Sequence, residues 1–167
     1  MSSPATGRAT PPSRSPFLTI GIIWINHHAM VRRLRRADHS ILVWNLMLLM
    51  TVSVLPFTTA LMAEYLKEGQ GERLAAGLYA GSFLLMSLVF AGMNRHILFS
   101  RTECLAVDVA PAVRRRALNL GILGLAPYLV ATLLALVTPY LTLGICAATA
   151  VYYALPLAGS ADAPEAA

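Results

Sequence analysis

Trp24, His27 and His28 sit together in the run FLTIGIIWINHHAMVRRLRR, residues 17–36, and they are the side chains best spaced for joint chemistry. On a helix they fall at i, i+3 and i+4 and share one broad face. Asn45, at the start of the next apolar run, can add an amide to that face. Two adjacent imidazoles admit three uses. They can ligate haem iron if another neutral imidazole faces them, and His96 is the candidate for that second axial position. They can hold a buried partner by hydrogen bonding, since polar groups inside a membrane need partners. Or they can rest, hydrated, at the headgroup level. Only His27 and His28 lie in a span, and there is no Cys-x-x-Cys-His, so the haem reading stands on His96 alone. A Soret band in purified protein would decide that reading.

The elements that must position these side chains are membrane helices. Of the 167 residues 57% are apolar and 13% charged, against roughly 25% charged in a soluble domain. About 20 apolar residues cross a hydrocarbon core of about 30 Å. The runs 41–63, 74–93 and 117–137 read as uninterrupted spans, and 140–157 as a fourth, slightly short, ending near Tyr152 and Tyr153. Residues 17–31 make a truncated fifth. The expected fold is an all-α integral membrane protein, a helical bundle of four full spans and one short one, over 17–157. Residues 1–16 and the acidic tail 158–167 read as disordered, the tail as cytoplasmic.

The charges set an orientation. Arg32, Arg33, Arg35 and Arg36 follow the first helix, a balanced loop holds Lys67 and Arg73, and Arg95, Arg101 and Arg114 to Arg116 occupy a long loop from 94 to 116. The positive-inside rule puts the first and third loops in the cytoplasm, which places the N-terminus outside. Setting orientation suffices to explain the Arg32 to Arg36 cluster, and contact with anionic lipid is its functional alternative. The net charge of +5 is explained the same way, without a nucleic-acid partner. A signal peptide at the start lacks a small-residue cleavage site. Every acidic residue lies in a loop, a tail or a helix end, so no pair of carboxylates shares a cavity for acid–base work or metal binding. No nucleophile motif or phosphate-binding glycine loop is present, so no enzyme, cofactor or metal site is expected. Cys104 and Cys146 lie too far apart along the bundle for a disulfide. Gly77 and Gly81 form a Gly-x-x-x-Gly pair suited to close helix packing. Thr51, Ser53, Thr58 and Thr59 are expected to bond the backbone groups that Pro56 frees.

Taken together, Trp24-x-x-His27-His28, then Trp44-Asn45-Leu46, then Leu55-Pro56-Phe57 with Ala60-Leu61 and Glu64-Tyr65 resemble the second and third helices of the transmembrane-protein-175 family. That family comprises endosomal and lysosomal potassium channels and their bacterial relatives. The likeness is motif by motif to Tyr65 and by length and order to residue 157. It implies helices two to six of a six-helix subunit, a homotetramer around a potassium pore, and a multi-pass place in a cell membrane, with a bacterial inner membrane expected. The family's first helix lines the pore and carries Arg-x-x-x-Phe-Ser-Asp. No such helix occurs in these residues, and Phe99-Ser100 is followed by Arg101. The start is then too late, the gene shortened, or the chain a natural remnant. The resemblance implies that Trp24, His27, His28 and Asn45 hold the first helix's polar signature. The function expected is a potassium channel subunit, non-conducting as written. A non-conducting membrane scaffold is the alternative.

Overall fold

The computed structural model describes residues 15–154. The expected disordered ends fall outside that range, apart from Ser15 and Pro16, which already belong to a helix. Six α-helices follow in order: α1 Ser15–Val31, α2 His39–Glu68, α3 Glu72–Arg95, α4 Pro111–Leu123, α5 Ala126–Leu134 and α6 Pro139–Ala154. A π-helical turn, His96–Ser100, extends α3, and a 3-10 turn covers Thr102–Cys104. Among the described residues the only β feature is an isolated antiparallel bridge between Leu34 and Leu105. Among the described residues three stretches are long and apolar enough to cross a membrane: His39–Glu68, Glu72–Ser100 and Pro111–Leu134.

The helices are longer than their apolar runs because their ends are capped. Asp38 accepts the Ile41 N–H at 2.8 Å and starts α2 two residues before the apolar run. Gly69 ends α2 in the left-handed region at φ 70°, and its N–H bonds the Tyr65 carbonyl. Gly71, also at positive φ, completes a turn short enough to lay α3 antiparallel on α2. Pro56 leaves α2 continuous. Thr51, Ser53, Thr58 and Thr59 close onto the carbonyls of Leu48, Leu49, Val54 and Leu55. Those are not the carbonyl of Val52, which loses its donor to the proline ring.

The span expected at 117–137 differs most. Its helix begins at Pro111 and breaks at Gly124 and Leu125. The Leu125 N–H reaches only three residues back, to Ile122, and Pro127 has no N–H to offer Leu123, so the chain tightens and restarts as α5. The loop expected at 94–116 shrinks accordingly to residues 101–110.

α3 is the central helix, packed by α2 on one side and by α5 and α6 on the other. Ala75, Ala76 and Ala80 let those neighbours approach. Phe83 then fills the middle, stacked on Tyr128 at 5.6 Å and met edge-on by Tyr79 at 5.1 Å. Of the Gly-x-x-x-Gly pair, a Cβ on Gly77 would lie 3.9 Å from Ala135, while one on Gly81 would meet open space. The close approach is elsewhere: a Cβ on Gly92 would lie 2.7 Å from the Trp44 ring. The bundle is polar inside and apolar outside at several points. Thr58 and Ser82 share a buried hydrogen bond of 3.0 Å between α2 and α3, and Thr142 donates to Ala131 at 3.0 Å between α6 and α5. Leu42, Leu46, Met50 and Phe57 of α2 point outward. Lipid makes that arrangement favourable, since it solvates leucine and not hydroxyls. α1 lies at the edge, against α2 and α6, and buries Met30.

Candidate functional site

Asn45 reaches from the first turns of α2 to the last turns of α1, where its Oδ1 lies 2.7 Å from His27 Nε2. An amide oxygen only accepts, so His27 donates and carries its proton on Nε2. Both residues are half-buried. The neighbouring Trp44 points the other way, onto α3, with its indole over Gly92 and 6.5 Å from the His96 ring. The Trp44-Asn45 dipeptide thus ties three helices together, which follows from adjacent helical positions facing roughly 100° apart.

The four residues expected to act as one cluster separate into two pairs. His27 bonds Asn45. His28 instead stacks on Trp24, ring centroids 5.0 Å apart and planes within 11°, and both face outward, with Trp24 60% exposed. Helical spacing put Trp24 and His28 one turn apart, and adjacent positions diverge by roughly 100°, so His27 turns to α2 while His28 stays with Trp24. His96, the candidate second haem ligand, lies against Trp44 at the π turn, and its buried Nε2 has no hydrogen-bond partner among the described residues. Among those residues no three of His, Cys, Asp and Glu come together as a metal site.

The basic loop is built, not loose. Its backbone pairs with the loop after α3: the Arg35 N–H donates to the Cys104 carbonyl at 2.8 Å, and the Ala106 N–H donates to the Arg33 carbonyl at 2.8 Å. Arg32, Arg35 and Arg36 are exposed and Arg33 is half-buried. Arg101 pairs with Asp38 at 2.7 Å, and its other nitrogen lies 3.6 Å from Glu103. The Ile41 N–H, assisted by the Arg101 guanidinium, holds the Asp38 carboxyl below its ordinary value, outweighing the cost of partial desolvation. Arg114 donates to the Val109 carbonyl at 2.6 Å, to Asp108 at 2.6 Å and to the Leu98 carbonyl at 3.5 Å, and so closes the loop onto the π turn. Sequence reading counted Arg101 and Arg114 only as orientation charges. The missed signal was Asp38, a capping residue three positions before the apolar face begins.

A crevice of about 190 Å³ opens between α1, α3 and α4, and Tyr128 of α5 with Ala150 and Tyr153 of α6 also line it. Ile22, Ile23, Met86, Phe90 and Leu120 line it, with Asn26 and Asn94 at one end.

The family model for the endosomal/lysosomal potassium channel TMEM175 matches residues 15–56, the segment that holds Trp24, His27, His28 and Asn45. A potassium channel of Chamaesiphon minutus is 37% identical over 145 residues, which cover 83% of this chain and 68% of that protein. The chain belongs to the TMEM175 potassium channel family. A potassium channel of Streptomyces collinus is 37% identical over 140 residues, 82% of this chain and 66% of that one, so the match spans about two thirds of each relative's length. The crystal structure of a lysosomal potassium-selective channel TMEM175 homolog from Chamaesiphon minutus superposes with a TM-score of 0.72 at 34% identity, covering 89% of this chain and 71% of that one. The likeness therefore runs far beyond Tyr65, where the motifs stop. As a TMEM175-family chain this is a membrane protein and a channel subunit, not an enzyme.

Proposed function

We propose that these 167 residues form the bracing part of a potassium channel subunit, which carries a conducting helix on the face that α1 and α2 share and assembles as a tetramer. The observation that carries this is the His27–Asn45 bond at 2.7 Å, inside the segment that matches the family. It links α1 to α2 and leaves the remaining His27 ring nitrogen and the Asn45 amide hydrogens for a third element. The exposed apolar face of α2, from Leu42 to Phe57, supports the same reading. The two bacterial relatives named as potassium channels support potassium as the ion.

Conduction then depends on a helix carrying Arg-x-x-x-Phe-Ser-Asp, which these residues do not contain. Reconstituted in liposomes, the 167-residue chain should pass no potassium, and the same chain fused to a family-type first helix should. A potassium-selective flux from the 167 residues alone would end the bracing interpretation. Cross-linking in the same liposomes should give tetramers.

A further inference from the structure

We propose that the crevice between α1, α3 and α4 is a binding site for one anionic phospholipid, with its headgroup on Arg115, Arg116 and Asn119 and one acyl chain between the helices. Two features of α4 carry this. The first is a shallow depression lined by Pro111, Arg115, Arg116, Asn119 and Leu120, just inside the start of the helix. Both arginines are exposed, and neither forms an ion pair among the described residues. Arg114, the third of the run, is consumed by Asp108 and two carbonyls, so the charge left over points to one side. The second is the crevice itself. It is lined on α4 by Ala117, Leu120, Gly121 and Gly124, one helical stripe, and Leu120 belongs to both hollows. A headgroup and a chain on the same molecule can therefore occupy them together across Leu120.

The chemistry selects the ligand. The crevice, about 190 Å³ and mostly apolar, is lined by Ile22, Ile23, Met86 and Phe90 together with polar groups such as Asn26, Ser87 and Asn94, so a hydrocarbon chain can lie along its apolar wall while polar atoms meet the groups beside it. The two unpaired guanidiniums favour a headgroup of net negative charge over a zwitterionic one, whose ammonium offsets its phosphate. The arginines at 32, 35 and 36 are also exposed but adjoin no such crevice, so they can attract lipid only diffusely.

Gly121 supplies the test, because a Cβ there meets nothing within 4 Å and a side chain can fill the crevice without disturbing the fold. Lipid retention would be read by native mass spectrometry of the detergent-solubilised chain, offered phosphatidylglycerol or phosphatidylcholine, with melting temperature as a second readout. Phosphatidylglycerol should be retained as a single tight equivalent and should raise the melting temperature, and phosphatidylcholine should do neither. Arg115→Gln with Arg116→Gln should weaken retention about thirtyfold, the equivalent of two attractions of about 1 kcal/mol. Gly121→Leu should abolish it while leaving the lipid-free melting temperature unchanged or higher. Arg32→Gln with Arg35→Gln and Arg36→Gln should leave it intact. Equal retention of both lipids, loss of binding only in the Arg32, Arg35 and Arg36 variant, full binding to the Gly121→Leu protein, or equal stabilisation by inorganic phosphate would each overturn the assignment.

Discussion

Asn45 and His27 are joined by one hydrogen bond between half-buried side chains, and its worth can be bounded. Interhelical polar pairs in membrane proteins couple by about 0.6 kcal/mol on average and about 1.7 at most, while an orphaned buried partner costs about 1–3 kcal/mol. His27→Ala and Asn45→Ala should each lower stability by about 1 kcal/mol, and the double variant should fall short of their sum. A thermal-unfolding double-mutant cycle reads that coupling. His28→Ala should change stability by less than about 0.5 kcal/mol, because the ring it loses lies on the outward face. The sequence made all four residues visible as a group, through types uncommon in a span and a spacing of one turn. It could not apportion them. Whether His27 or His28 finds Asn45 depends on how α1 is rotated against α2, which tertiary packing decides.

Two places in the bundle carry predictions at the level of the helix. At the start of α2, the Asp38 carboxyl is held below 3.8, its ordinary value, by the Ile41 N–H and Arg101. A depressed carboxyl contributes stability that is fully present above its unfolded value and is lost as pH falls through the folded one. Acid should therefore loosen α2 only below pH 3.8, and Arg101→Gln should shrink that loss. Melting curves across pH 2.5–7 would check both. On α3 the two glycines should respond with opposite sign. Gly92→Ala drives a methyl into Trp44 and should destabilise by about 1–3 kcal/mol of overpacking, more than the roughly 1 kcal/mol gained in helix propensity. Gly81→Ala meets open space and should stabilise by up to about 1 kcal/mol. A loss at Gly81 instead would place another helix against it. The Gly-x-x-x-Gly spacing did not point to Gly92, because it records small residues, not what stands opposite. The helix break at Gly124 was legible from Gly124 and Pro127, but hydropathy averages across it and hides it.

For the whole molecule, charge alternation between loops predicts the N-terminus outside and the C-terminus inside. Single cysteines replacing Ser3 and Ser160, in a background without Cys104 and Cys146, should label from opposite sides of the membrane. Both labelling from the cytoplasm would overturn the scheme. All-helical class, membrane setting and family were legible because composition and a few motifs decide them. The packing of α3 at the centre and α1 at the rim was not, since in lipid an apolar surface gives no direction for burial. A soluble protein's hydropathy says which face goes in. Here that information sits in small residues and hydroxyls such as Ala76, Ala80, Thr58 and Ser82.

Cys104 lies where the loop after α1 pairs with the loop after α3, with 2% of its surface exposed, and its carbonyl receives the Arg35 N–H. The chain thus contains its own clock. A thiol reagent can reach that sulfur only while the loops are apart, so the modification rate counts openings directly, with no dye or spin label attached. With Cys146→Ser silencing the other thiol, any stimulus that moves α1 relative to α3 should change that rate before any ion moves.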